Sequence, residues 1–344
     1  MPAQSPSQKR TLLKAILLTL AAVLLILIGS VALFVNSLFK DPDMTKLPAY
    51  YPFKSAQARE KYLDYYGQRA RQWPVASEER YVETSYGKTF VRVSGPPNGP
   101  TLVLLPSANA SSLIWFANVK ELSEHFRVYA VDNIYDVGRS INTKPFKRAD
   151  DFTGWMDELF TGLALGDSVN LMGYSFGGWL SSRYALRHPE RLCKLILVAP
   201  PATVIELPGE WAWRGIISAL PHPYFMRRYM VNWLFEDLAK RQDSESRRIV
   251  DMLISDAMMS LKCYKMRMLV PPDVLTDGEL RDIKVPALFL VGEHEKIYPA
   301  AEAVKRLNAV APQIRTEIIP SASHDLPISQ TEVFNKKVIE FLGQ

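Results

Sequence analysis

The stretch Gly173-Tyr174-Ser175-Phe176-Gly177-Gly178 constrains this chain more than any other. An apolar run, Val169-Asn170-Leu171-Met172, precedes it, and a helical pattern, Trp179-Leu180-Ser181-Ser182-Arg183-Tyr184-Ala185-Leu186, follows. A G-x-S-x-G sequence between strand and helix sets its serine on a sharp turn. The glycines two places either side of Ser175 remove Cβ atoms where strand and helix meet. Such a turn holds the Ser175 hydroxyl up in a strained, accessible position. Alone, the five-residue pattern describes any small-residue turn. The flanking strand, the helix and the second glycine turn it into a candidate nucleophile.

The rest of the chain supplies a matching frame. Residues 80–85 and 89–94 alternate around Tyr86-Gly87-Lys88 and predict a hairpin. Thr101-Leu102-Val103-Leu104-Leu105 is nearly all apolar and reads as a central parallel strand. It leads through Pro106-Ser107-Ala108-Asn109-Ala110-Ser111-Ser112 into a helix to about residue 123. Further strands are expected at 126–132, 192–198, 287–291 and 315–320, and helices at 55–72, 150–165, 300–310 and 330–342. Ser55 is the expected cap of the first of these helices. Strand alternating with helix predicts an α/β fold, a mostly parallel central sheet flanked by helices.

Residues 200–283 interrupt the alternation. They lack strand patterning and are crowded with Trp211, Trp213, Tyr224, Phe225, Met226, Tyr229, Met230 and Trp233, then Met252, Met258, Met259, Met266 and Met268. This reads as an inserted helical cap. Its aromatic and Met residues serve first as the cap's own core, and some roof the site if the cap lies above Ser175.

No charged residue occurs from 15 to 39. About 20 apolar residues suffice for a transmembrane helix. A cleaved secretory signal has a shorter apolar region, about 7–15 residues, and a small-residue cleavage site that is not evident here. A buried soluble helix is the weaker reading, since this run has no polar face to turn to solvent. The expectation is therefore an uncleaved signal anchor. Lys9, Arg10 and Lys14 precede the run, whereas Lys40, Asp41, Asp43 and Lys46 nearly balance after it. The positive-inside rule then puts the N-terminus in the cytoplasm and the catalytic domain on the extracytoplasmic side of the membrane, single-pass. The predicted layout is 1–14 cytoplasmic, 15–39 transmembrane, 40–79 linker and first helix, 80–199 core, 200–283 cap and 284–344 core.

Composition excludes other classes. The formal net charge of +5 is spread along the chain with no basic run, so no nucleic acid is expected as a partner. The two cysteines, Cys193 and Cys263, fit neither a metal spacing nor a disulfide framework. Cys193 is expected to be buried in a core strand.

Together these residues resemble the α/β-hydrolase fold family, and within it bacterial carboxylesterases of the arylpropionate (naproxen) esterase type. The likeness is carried by Leu104-Leu105, Ser111-Ser112-Leu113-Ile114-Trp115, Phe126-Arg127-Val128-Tyr129-Ala130-Val131-Asp132 and the Ser175 motif. It continues through Leu275-Thr276-Asp277-Gly278-Glu279-Leu280, Val285-Pro286, Gly292-Glu293-His294-Glu295-Lys296-Ile297-Tyr298 and Ala322-Ser323-His324. These fall in family order from about residue 53 to the C-terminus, with the cap matching least.

The resemblance implies a nucleophile, an acid and a histidine in that order. Of five histidines (His125, His188, His222, His294 and His324), His324 follows the last strand and suits the base. Three carboxylates bear on the acid: Glu293, Glu295 and Asp325. The family pattern places the acid three residues after the glycine, at Glu295. The oxyanion hole would use the backbone N–H of Phe176 and, by position in the family loop, of Ala108. Here that loop reads Pro106-Ser107-Ala108 where the family usually has His-Gly, and Pro106 has no N–H. The implied activity is hydrolysis of a small apolar ester through an acyl-enzyme, with no metal or organic cofactor. The same triad also suits lactones, amides or perhydrolysis. A catalytically weak binding protein of this fold is the rival from another class.

Overall fold

The computed structural model describes residues 6–39, 46, 49–220, 222–265 and 270–344. Helix α1 (Pro6–Phe39) belongs to one compact unit and every other element to a second. Within α1 the Thr19 hydroxyl donates to the Ala15 carbonyl at 2.9 Å, which satisfies a polar group inside an apolar run. Among the described residues, no helix is long and apolar enough to cross a membrane. The span expected at 15–39 falls partly on side chains at 27, 28, 31, 32 and 34–39, which lie outside the described residues. Residues 40–45, 47 and 48 of the expected linker also lie outside them, as do Met266 and Met268.

The second unit is built on one sheet. In chain order, α2 (Ala56–Ala70) precedes the hairpin β1 (Glu78–Thr84) and β2 (Gly87–Ser94). Next come β3 (Thr101–Leu105), α3 (Val119–His125), β4 (Arg127–Val131), β5 (Ile141–Asn142) and α4 (Ala149–Gly162). Then follow β6 (Val169–Tyr174), α5 (Phe176–Arg187) and β7 (Leu192–Val198). The helical insertion holds α6 (Gly209–Ser218), α7 (Pro223–Met226), α8 (Asn232–Leu234), α9 (Glu236–Lys240), α10 (Ser244–Cys263) and α11 (Asp277–Asp282). The chain closes with β8 (Ala287–Gly292), α12 (Ala300–Val310), β9 (Ile314–Ile319), α13 (Leu326–Ser329) and α14 (Thr331–Gly343).

The strand order is β1-β2-β4-β3-β6-β7-β8-β9, with short β5 on β2. Among the described strands, only pairs involving β1, β2 or β5 are antiparallel. Alternate side chains of each central strand enter opposite cores. Val103, Leu105 and Leu171 point to one with Trp155 and Phe176, and Leu102, Leu104, Met172 and Tyr174 to the other with Trp115 and Phe334. Both faces are covered, so β6 and β8 are buried at every residue; β8 reads as an unbroken apolar run, and β6 is interrupted by Asn170, whose side chain donates to the Thr101 carbonyl.

Cys193 departs from expectation. It lies in β7 but is exposed. Val169 pairs Leu192 and Asn170 pairs Lys194, so Cys193 is the extra residue of a bulge and turns out of the pleat. Short β5 is also absent from the sequence reading, because two residues carry no alternation.

Helix α2 is capped by Ser55, whose Oγ accepts from the Ala58 N–H at 3.0 Å. It buries Tyr62 and Tyr66, and its Arg69 holds Asp256 of α10 at 2.9 and 3.1 Å. It thereby clamps the insertion to the sheet. Within the insertion Met226, Met252 and Met258 are buried together with Val231, Leu238, Ile249 and Leu253. Trp213 and Tyr224 are exposed instead.

Candidate active site

Ser175 stands where β6 ends and α5 begins, with φ 53° and ψ −120°. A side chain held at positive φ costs about 1–3 kcal/mol and needs surroundings that enforce it. Here the Ser175 N–H donates to Val198 O at 2.8 Å, and its carbonyl accepts from Gly178 N–H at 2.7 Å. Two close approaches explain the flanking glycines. A Cβ on Gly173 would sit 2.1 Å from the Gly177 carbonyl oxygen. A Cβ on Gly177 would sit 2.6 Å from both the Leu105 and Pro106 carbonyl oxygens. The first lets α5 cross β6. The second lets the loop after β3 lie against the first turn of α5.

That contact brings the Pro106-Ser107-Ala108 loop beside Phe176. The Asn109 N–H donates to Asp136 Oδ2 at 2.9 Å, and Asn109 itself adopts φ 56°. Asp136 thus anchors a loop whose sequence departs from the family pattern. Among the described residues, the backbone N–H groups of Phe176 and Ala108 have no hydrogen-bond acceptor. The Phe176 ring is buried against Phe152, with centroids 5.8 Å apart.

Glu295 and His324 are brought together from loops after β8 and β9. The two loops interlock. His294 N–H donates to Ala322 O at 2.8 Å, and a Cβ on Gly292 would sit 2.3 Å from the Ser323 carbonyl. His324 Nδ1 and Glu295 Oε2 are 2.8 Å apart, both residues buried. The other carboxylate oxygen, Oε1, accepts from the N–H groups of Lys296 at 2.8 Å and Ile297 at 2.9 Å. The carboxylate is therefore pinned on one side and free to orient an imidazole on the other.

Tyr174 joins this pair to the turn. Its hydroxyl donates to the His324 carbonyl at 2.8 Å, and the two rings lie 5.4 Å apart. Burial, then the charges of Asp325 and Glu295, push its phenol well above the usual range, so it stays a donor. Since Tyr174 directly precedes Ser175, this bond fixes His324 relative to the serine. Tyr174→Phe leaves a buried carbonyl unpaired. It should lower stability by about 1–2 kcal/mol, measured by urea denaturation.

The other candidates separate clearly. Glu293 is exposed and accepts from the Ser321 N–H at 3.0 Å. His294 is 46 % exposed at its side chain and faces Asp237 of α9 at 3.1 Å. Asp325 Oδ1 accepts from the Ser323 N–H, Ser323 Oγ and Ser329 Oγ at 3.2, 3.0 and 2.8 Å. Its Oδ2 accepts from Leu238 N–H of α9 at 3.0 Å. Asp325 therefore shapes the His324 loop and docks the insertion onto it. Lys296 pairs with Glu236 of the same short helix. None of Tyr174, Asp136, Asp237 and Asp325 carries a local motif for these contacts.

Burial raises the Asp325 carboxyl above its usual range despite these hydrogen bonds. A raised native value means that the folded state binds this proton more tightly. The resulting stability is full below the ordinary aspartate value, about 3.9, and is lost as pH rises through the native one. Asp325→Asn cannot titrate. The stability of wild type minus variant should fall as pH climbs from about 4, read as urea midpoints across pH. A flat difference would contradict this.

The alpha/beta hydrolase fold family matches residues 100–330. The chain is 32% identical over 292 residues to carboxylesterase YbfK of Bacillus subtilis, covering 84% of this chain and 96% of that protein. The crystal structure of naproxen esterase from Bacillus subtilis superposes with a TM-score of 0.76 at 28% identity, covering 84% of this chain and 99% of that one. The crystal structure of YbfK gives 0.72 at 31% identity, covering 83% and 99%. With its serine turn, parallel sheet and helical insertion in this order, the chain belongs to the α/β-hydrolase fold family and is a carboxylesterase-like hydrolase.

Proposed function

We propose that the protein hydrolyses small apolar carboxylic esters, with Ser175 as nucleophile, His324 as general base and Glu295 as the group that orients the base. The observation that carries this reading is the buried hydrogen bond at 2.8 Å between His324 Nδ1 and Glu295 Oε2. With Nδ1–H committed to Glu295, Nε2 is the basic nitrogen. It takes the Ser175 proton as Oγ attacks the ester carbonyl. The N–H groups of Phe176 and Ala108 receive the oxyanion, and loss of one such donor costs about 100- to 1,000-fold. His324 then protonates the leaving alcohol. Water, deprotonated by the same nitrogen, attacks the acyl-enzyme and releases the acid.

We further propose that α1 anchors the chain with its N-terminus cytoplasmic and its catalytic unit extracytoplasmic. The support is the uncharged run at 15–39, the cluster Lys9, Arg10 and Lys14 before it, and the exposed Leu17, Leu18, Leu24, Leu25 and Ile26.

A fluorophosphonate probe tests the chemistry. Wild type should be labelled and cleave short aryl esters, whereas Ser175→Ala and His324→Ala should do neither. If wild type neither reacts nor turns over any acyl ester, the proposal fails. Turnover confined to lactones or amides would move the substrate class and keep the triad. Alkaline phosphatase fused after residue 43 should be active in the periplasm or outside the cell. Activity of a β-galactosidase fusion there instead would reverse the orientation.

A further inference from the structure

We propose that the outer face of the insertion, formed by Trp213, Ile216, Leu220 and Tyr224, docks onto the lipid bilayer, so that apolar esters enter the site from the membrane. This rests on the reading of an anchored ester hydrolase.

The exposed apolar surface is concentrated, not scattered. Outside α1, seven large apolar side chains are exposed among the described residues: Tyr81, Trp213, Ile216, Leu220, Tyr224, Ile318 and Val333. Four of the seven lie between 213 and 224, with exposures of 43, 52, 43 and 55% in sequence order. Trp213 and Ile216 are three residues apart on one face of α6, and Leu220 follows two residues after its end. The helix also carries an inward side, where Ser218 is buried and Trp211 packs against the core. An ordinary surface helix keeps polar residues outward. This one exposes Trp213 and Ile216 alongside Glu210.

Trp213 is held in place rather than left to collapse inward. The Arg214 guanidinium lies 4.7 Å from the Trp213 ring centroid and 4.6 Å from that of Trp233, and it is tied to Glu210. The Tyr229 ring meets Trp213 edge-on at 6.1 Å. A fixed, outward indole lowers the ordering cost of docking.

The chemistry fits lipid better than protein. Trp and Tyr with aliphatic neighbours suit the headgroup boundary, and cations beside them favour anionic headgroups. Arg227 and Arg228 are exposed at the start of the π-helical segment Arg227–Val231 that continues α7; Arg227 pairs with Asp251, and Arg228 has no carboxylate partner among the described residues. Taking about 200 Å² per side chain at half exposure, the patch presents roughly 400 Å². That is a functional patch for a monomer but about half of one side of a standard protein interface, about 800 Å². The docking face also lies on the same insertion that meets the His324 loop. Helix α9, farther along the same insertion, receives Asp325 on the Leu238 N–H.

The test uses the full chain reconstituted in nanodiscs containing phosphatidylglycerol. A fluorophore is attached at Ile216→Cys in a Cys193→Ser background, with Val333→Cys, another exposed position, as control. Quenchers on the lipid chains should quench the label at 216 at least fivefold more than that at 333. Turnover of a long-chain aryl ester dissolved in the nanodisc, divided by that of a short water-soluble ester, should fall at least tenfold in Trp213→Glu/Ile216→Glu. Equal quenching at both positions, or an unchanged ratio, overturns the proposal. A label at 216 shielded from water yet not quenched by lipid would mean that protein covers the face, and overturns it too. If wild type cleaves neither ester, the ester reading fails, while quenching still reports docking.

Discussion

Replacing Ser175 by alanine should lower kcat for a short aryl ester by about a million-fold, with the protein still folded. The reason lies in how the serine is held. At φ 53° and ψ −120°, the turn is enforced by Val198, Gly178 and the tight contacts at Gly173 and Gly177, none of which uses the hydroxyl. Alanine therefore keeps the backbone and loses only the hydroxyl proposed as the nucleophile. His324→Ala should cost a comparable amount, because an unactivated serine hydroxyl is a weak nucleophile. The two losses should not add in the double variant, since both groups serve one proton transfer. Steady-state turnover with active-site titration measures this. A Ser175→Ala protein retaining a tenth of wild-type kcat would remove the serine from the mechanism.

Glu295→Gln should lower kcat about 10,000-fold through a wrong tautomer rather than a lost contact. Glu295 Oε1 accepts two backbone N–H groups, from Lys296 and Ile297. In the glutamine variant only the carbonyl oxygen can meet those donors. The amide NH2 must then face His324 Nδ1, 2.8 Å away in the native pair. That nitrogen becomes an acceptor, the proton moves to Nε2, and the base can no longer accept from Ser175. Fluorophosphonate labelling should slow in parallel with kcat. Glu295→Asp keeps a carboxylate but shortens its reach by a methylene, so it should recover part of the rate. A Gln variant within tenfold of wild type, or an Asp variant worse than Gln, would assign the orienting role elsewhere.

Much of this site is readable in the chain because its parts are local. The Ser175 turn is a run of small residues between strand and helix patterns, and both patterns arise from burial on a covered sheet. The positions of Glu295 and His324 after the last two strands follow from family order. Which carboxylate meets the imidazole is a different matter. Glu293, Glu295 and Asp325 are each within a few residues of the right loop. The side chains diverge because Glu295 is held by the Lys296 and Ile297 N–H groups and by His324, while Asp325 is drawn to α9. The same limit explains Cys193, whose apolar neighbours predict burial but whose bulge exposes it.

The insertion shows the boundary most clearly. Its abundance of aromatic and Met residues marks it as helical and self-packing, and Met226, Met252 and Met258 are indeed buried in it. Composition alone does not say which apolar residues turn outward. Trp211 and Trp213 are two places apart, on different sides of α6, one packed on the core and one in solvent. Sequence by itself determined the α/β alternation and the serine turn, because each depends on periodicity or on residues adjacent in the chain, while the candidate triad followed from the order of motifs in the family it resembles. Tertiary structure alone decided the bulge, the partners of Asp325 and Tyr174, the loop held by Asp136 and the outward face of α6. These depend on contacts between segments far apart in the chain, where the register of packing, not residue type, selects the neighbour.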